Sequence, residues 1–148
     1  MINILVSACL LGLDCRYDGK NCLNEDVLFL KGKCNLIPIC PEQMGGLPTP
    51  RVPAEIVGYK LINKEGKDVT CEYDKGRQIA LKIAEINDCK YAILKQKSPS
   101  CGCGLIYDGT FKGKLIEGYG NTTKLLMEKG IKVYPDTDIK RLIEELKI

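Results

Sequence analysis

Histidine is absent from this chain of 148 residues. That excludes Ser-His-Asp and Cys-His catalysis, histidine-ligated zinc, and haem held by a proximal histidine. Acid–base chemistry therefore has to come from Glu, Asp, Lys, Tyr, a hydroxyl or water. A membrane-length run is missing too: no stretch approaches the roughly 18 apolar residues that a span requires. The opening Met1-Ile2-Asn3-Ile4-Leu5-Val6 lacks the basic flank and long apolar segment of a secretory signal and reads as a strand. A cytoplasmic protein is the expectation. There is no internal repeat, low-complexity tract or linker, and the length suits one domain with its own core, so a single domain over 1–148 is expected. Charge of one sign is not concentrated. The formal net charge is +3 and the pI about 8.3, whereas nucleic-acid domains usually show a basic stripe and a pI above about 9. No nucleic-acid domain is evident, and the charge suits a small anionic substrate.

Cysteine, by contrast, is plentiful. Nine cysteines fall below the roughly 8–10% that marks a disulfide scaffold, and an odd count weighs against complete pairing. In a reducing compartment such cysteines point to metal binding or catalysis. No C-x-x-C spacing is present. Three of them instead follow apparent strands: Val6-Ser7-Ala8-Cys9, Pro38-Ile39-Cys40-Pro41-Glu42 and Ser98-Pro99-Ser100-Cys101-Gly102. A parallel sheet gathers the C-terminal ends of its strands along one edge. Three thiolates meeting there can hold a metal or an iron–sulfur cluster with one position open, and an open position distinguishes a catalytic site from a structural one. Three independent core cysteines are the plain alternative.

Local patterns predict the frame. Strands are expected at 2–8, 36–39, 91–94 and 131–134, with a short helix near 24–31. Pro41 to Pro53 contains Gly45-Gly46 and four prolines and reads as a loop. Glu55 to Thr70 reads as a hairpin turning at Asn63-Lys64-Glu65-Gly66. Ile79, Ala80, Ile83 and Ala84 mark a helix over about 72–87. A further helix starts at Asn121 or Thr122 and ends near Gly130, and a last one follows Asp136 or Asp138. Alternating strands and helices imply a three-layer α/β domain with a mostly parallel, Rossmann-like sheet and a small hairpin insertion.

Several polar residues accompany the cysteine loops. Glu42 follows Cys40 across Pro41, and Ser98 precedes Cys101 by three; each is also explained as an ordinary loop residue. Arg16-Tyr17-Asp18-Gly19 is either a turn held by an Arg–Asp pair or part of a substrate site, through Arg16 and Asp18. Arg51 places a guanidinium where it can bind an anion. Gly118-Tyr119-Gly120-Asn121-Thr122 precedes a helix and offers backbone N–H groups to a phosphate, or simply caps the helix. Cys15 lies near the first loop. Cys103 forms Cys-Gly-Cys with Cys101 and offers a fourth ligand. Cys22, Cys34, Cys71 and Cys89 read as small buried or incidental thiols.

The segments Ser7-Ala8-Cys9-Leu10-Leu11-Gly12, Cys15-Arg16-Tyr17-Asp18-Gly19, Cys40-Pro41-Glu42, Gly46-Leu47-Pro48-Thr49-Pro50-Arg51-Val52-Pro53-Ala54-Glu55 and Lys95-Gln96-Lys97-Ser98-Pro99-Ser100-Cys101-Gly102 together resemble the thiouracil desulfidase family. The resemblance covers nearly the whole chain. It implies a [4Fe-4S] cluster held by three cysteines with one open iron, loaded by the cellular iron–sulfur assembly machinery, and hydrolytic, non-redox removal of sulfur from thiolated uracil compounds. Carried onto this sequence, the ligands are Cys9, Cys40 and Cys101, with Glu42 and Ser98 as catalytic candidates. Cys15 belongs to a matching segment as well, so the trio stays open at this point. The expected substrate is a thiolated uracil or nucleotide, 4-thio-UMP above the free base, in sulfur metabolism. The rival reading is a non-enzymatic zinc- or iron–sulfur-binding sensor.

Overall fold

Side chains of the first strand alternate between two apolar environments, Ile4 and Val6 in one and Leu5 in the other. Burial on both faces is what a central strand of a covered parallel sheet requires. A computed structural model, which describes all 148 residues, places this strand, β1 (Asn3–Ser7), between β2 (Asn35–Ile39) and β5 (Tyr91–Leu94), with β8 (Lys132–Pro135) beyond β5. All pairings in the order β2-β1-β5-β8 are parallel. Helices α1 (Glu25–Leu28) and α5 (Ile139–Leu146) cover one face, where Val27, Leu30, Ile139 and Leu142 pack with Ile4, Val6 and Ile93. Helices α3 (Thr70–Ile86) and α4 (Asn121–Glu128) cover the other, where Ala80, Leu81, Ala84, Leu125 and Leu126 pack with Leu5, Ala92 and Leu94. The three-layer α/β fold is therefore as expected.

The connections differ from expectation in three places. Residues 41–53 are not wholly loop: α2 (Pro41–Met44) begins there, with Pro41 at its first position, where a missing N–H costs nothing. One turn of helix is too short to show a period. The hairpin of β3 (Ala54–Val57) and β4 (Lys60–Asn63) turns at Gly58-Tyr59, not at 63–66. The latter is a second turn, in which Asn63 Oδ1 accepts the N–H groups of Glu65 and Lys67 at 2.9 and 3.0 Å. A further hairpin, β6 (Cys103–Tyr107) with β7 (Leu115–Tyr119), went unpredicted. Its strands carry Gly104 and Gly118 and leave Leu105 and Ile116 exposed, so they lack the alternation that marks a half-buried strand.

Two glycines let α2 lie directly on α3. A Cβ on Gly45 would meet the Glu72 carbonyl oxygen at 1.9 Å, and one on Gly76 would meet that of Pro41 at 1.9 Å. The helices touch backbone to backbone, which carries α2 across the C-terminal edge of the sheet.

Candidate active site

Three neighbouring strands end at this edge, and each hands the chain to a cysteine. Cys9 lies in a single 3-10 turn, Ala8–Leu11, directly after β1. Cys40 follows β2 and precedes α2 as its N-cap residue. Cys101 follows β5 through the loop 95–100. In the order β2-β1-β5, strands about 4.8 Å apart set the three loops side by side at the switch point of the sheet.

All three cysteines line one cavity of about 540 Å³, together with Cys15. Burial drives the Cys101 thiol up to about 12. The Cys40 thiol donates to the Cys15 carbonyl at 3.7 Å. Cys15 is pushed up to about 11: its hydrogen bond with Cys40 pulls downward, but contact with Cys9 and burial outweigh it. The same thiol pair, and then burial, raise Cys40. These are protonated thiols that a metal must ionise on binding. No three His, Cys, Asp or Glu side chains converge closely enough to share a single ion. The donor set is soft, free of histidine and spread over three loops, which fits a multi-iron cluster rather than one zinc.

Glu42, in the first turn of α2, is gripped on both oxygens. Arg51 Nε donates to Oε1 at 2.9 Å, and Ser100 Oγ donates to Oε2 at 2.9 Å. Ser98 Oγ lies 3.4 Å from Oε2 and 2.9 Å from Ser100 Oγ. Ser98 Oγ also accepts the N–H groups of Ser100 at 3.2 Å and Cys101 at 3.1 Å. Both of its lone pairs are thus engaged, and its own proton is directed at Glu42 Oε2 or Ser100 Oγ, so it reaches a ligand only by turning away from them. Beneath Glu42 is the buried Tyr73 phenol, raised above its usual range by burial and then by the neighbouring Glu42. Ser100, buried and touching Glu42, Ser98 and the Cys101 sulfur at 3.6 Å, was missed by sequence reasoning. Its only signal was its place beside Cys101.

Arg51 and Arg16 line the cavity, but Arg51 is already committed. Besides Glu42 it donates to the Cys15 carbonyl at 2.8 Å and to Thr49 Oγ1 at 3.0 Å. It is a strut for the carboxylate, not a free anion site. Arg16 stands at the mouth against the Cys22 sulfur, with Asp18 at 3.6 Å. Asp18 is exposed and lies outside the cavity lining.

The helix start offered for phosphate has another task. The N–H groups of Gly120, Asn121 and Thr122 donate to the carbonyls of Gly102, Pro99 and Ser100 at 2.8, 2.9 and 3.0 Å. A Cβ on Gly120 would meet the Ser100 carbonyl at 2.4 Å. Gly118, Gly120, Asn121 and Thr122 do not line the cavity; they buttress the Cys101 loop from behind. Cys103 also points away, donating to the Val133 carbonyl at 3.6 Å. Gln96 Oε1 closes the loop by accepting the N–H groups of Cys103 at 2.9 Å and Leu105 at 3.2 Å.

Residues 4–138 match the 2-thiouracil desulfurase family. The chain belongs to that family. Among its relatives, the uncharacterised protein YbbK of Bacillus subtilis (strain 168) is 39% identical over 150 residues, which cover 95% of this chain and 99% of YbbK. A solved structure described as the [4Fe-4S]-dependent thiouracil desulfidase TudS is 41% identical and superposes with a TM-score of 0.94 over 99% of both chains. The desulfurase fold thus extends over the whole sheet and both hairpins that border the cysteine cavity.

Proposed function

We propose that this protein is a [4Fe-4S]-dependent desulfidase that hydrolyses the C–S bond of a thiolated uracil compound, releasing the uracil compound and hydrogen sulfide. The observation that carries this reading is Glu42 clamped between Arg51 and the Ser98–Ser100 pair, in the same cavity as three cysteines from adjacent strand ends. Cys9, Cys40 and Cys101 would hold the cluster. When bound, such a cluster supplies an iron without a protein ligand, a Lewis acid suited to a soft thiocarbonyl sulfur.

The remaining chemistry belongs to the chain. Glu42 accepts a proton from the water that attacks the C–S carbon. Arg51 holds the carboxylate in place, and Ser98, turning its hydroxyl away from Glu42 and Ser100, donates a hydrogen bond to the pyrimidine. General acid–base help of this type contributes roughly 10²–10⁴-fold. The rim carries Arg16, Lys64 and Lys97, cations that suit a phosphate monoester, so 4-thio-UMP is the substrate proposed ahead of the free base. No helix of the chain is long and apolar enough to cross a membrane. We place the enzyme in the cytoplasm, working as one domain and loaded by the iron–sulfur assembly machinery.

Anaerobic purification followed by a sulfide-release assay with 4-thio-UMP, 4-thiouracil and 2-thiouracil tests the proposal. A brown protein with broad visible absorbance that releases sulfide without an electron donor is expected. A colourless zinc protein inert towards all three compounds would favour the sensor reading instead.

A further inference from the structure

Part of the cavity wall comes from the unpredicted hairpin. Tyr107, Phe111 and Gly113 of β6 and its turn line the cavity, in a chain with only two phenylalanines and seven tyrosines. Phe111 adopts a left-handed backbone, φ 59°, which side chains with a Cβ rarely take up unaided. Something must hold it there. Glu55, on β3 and nine-tenths buried, does so: a single oxygen, Oε1, accepts the N–H of Gly109 at 2.9 Å and of Phe111 at 3.2 Å. Gly109 is itself pressed on β3, since a Cβ there would meet the Ile56 carbonyl at 2.6 Å. A buried carboxylate, a close backbone approach and a strained aromatic residue thus converge on one position of the cavity wall.

We infer that Phe111 is a base-stacking, specificity-determining residue and that Glu55 is the positioning residue that holds it. This rests on the proposed substrate class, a flat pyrimidine, because an aromatic face gains most against a planar ring. Glu55 also lines the cavity, but its Oε1 is committed to the backbone of Gly109 and Phe111, and it is through that backbone that it acts. Discrimination therefore arises on the two hairpins, away from the groups that do the chemistry.

The test uses the cluster-loaded enzyme with uracil as a calorimetric binding probe and 4-thiouracil for turnover. Phe111→Ala should weaken uracil binding by about 10-fold or more, the scale of a lost base–aromatic stack, and raise KM far more than it lowers kcat. Phe111→Tyr should restore both. Glu55→Ala should reproduce the Phe111→Ala binding loss and speed amide hydrogen exchange at residues 109–111. Glu55→Gln, which keeps a carbonyl oxygen for the two N–H groups, should behave close to wild type. The double variant Phe111→Ala/Glu55→Ala should bind uracil no worse than Phe111→Ala alone. Wild-type uracil affinity in Phe111→Ala, or fully additive losses in the double variant, would overturn the inference. A wild-type protein that binds uracil through Phe111 yet releases no sulfide would instead count against the desulfidase reading and leave this one standing.

Discussion

In the proposed mechanism the chemistry turns on Glu42, and its surroundings define what each neighbour should contribute. Glu42→Gln preserves volume and removes the charge, so iron and sulfide content should stay at wild-type levels while kcat falls by roughly 10²–10⁴-fold. Ser100→Ala removes a hydrogen bond to a carboxylate, a contact generally worth about 1.5–3 kcal/mol. Full cluster content with kcat lowered about 10-fold and KM unchanged is the expected outcome, read by iron analysis and sulfide-release kinetics. Cys9→Ala, Cys40→Ala or Cys101→Ala should each abolish cluster binding, whereas Cys71→Ala and Cys89→Ala, remote from the cavity, should keep both iron and activity. Full iron content in Cys101→Ala would reassign the ligand to Cys15. At this scale the sequence drew attention to Glu42 and Ser98, each within three positions of a strand-end cysteine, and the structure places both in the cysteine cavity. Ser100 and Arg51 were harder to read. A serine in a turn and an arginine in a proline-rich loop take on their roles only when α2 closes against the loop after β5, a contact between residues 58 apart.

Among the elements, α2 depends on the two glycines that seat it. Gly76→Ala would by propensity favour a helix by roughly 0.5–1 kcal/mol. Here the added methyl meets the Pro41 carbonyl, so a net loss of about 1–3 kcal/mol is expected from overpacking. Because the displaced backbone carries Glu42, activity should fall by more than thermal stability suggests; comparing the melting temperature with kcat for this variant checks the point. The strands of the parallel sheet were legible as short apolar runs, and α3 because its 17 residues show enough periods to count. Helix α2 and the β6–β7 hairpin were not, since one helical turn or five half-exposed residues without alternation carry no period, and their placement follows from close backbone contacts that a linear pattern does not encode. The start of α4 illustrates the same limit. Its Gly-x-Gly-Asn-Thr run reads alike whether its N–H groups meet a phosphate or, as here, the carbonyls of residues 99, 100 and 102.

Across the whole molecule, the buried thiols tie stability to pH. In the cluster-free protein Cys15 and Cys101 rise from 9.0 to about 11 and about 12. The folded state then keeps protons that the unfolded chain would release. This contribution is complete below pH 9 and is lost as the pH climbs towards 11–12. The urea midpoint of the cluster-free protein should therefore fall over that window, and much less so once the thiolates are ligated. Loading runs the other way, because binding expels protons, so reconstitution should strengthen as pH is raised through neutrality. The layered architecture itself was readable, since alternation of strand and helix leaves few other ways to bury both faces of a sheet. The three strand ends that carry Cys9, Cys40 and Cys101 belong to a sheet whose backbone pairing uses no cysteine, although Cys9 and Cys101 also pack in its two apolar layers. The socket is built before its contents arrive. Air that strips the cofactor should accordingly leave a protein with an unchanged far-ultraviolet circular dichroism spectrum, and repair becomes a matter of refilling with iron and sulfide, with no need to fold the chain again.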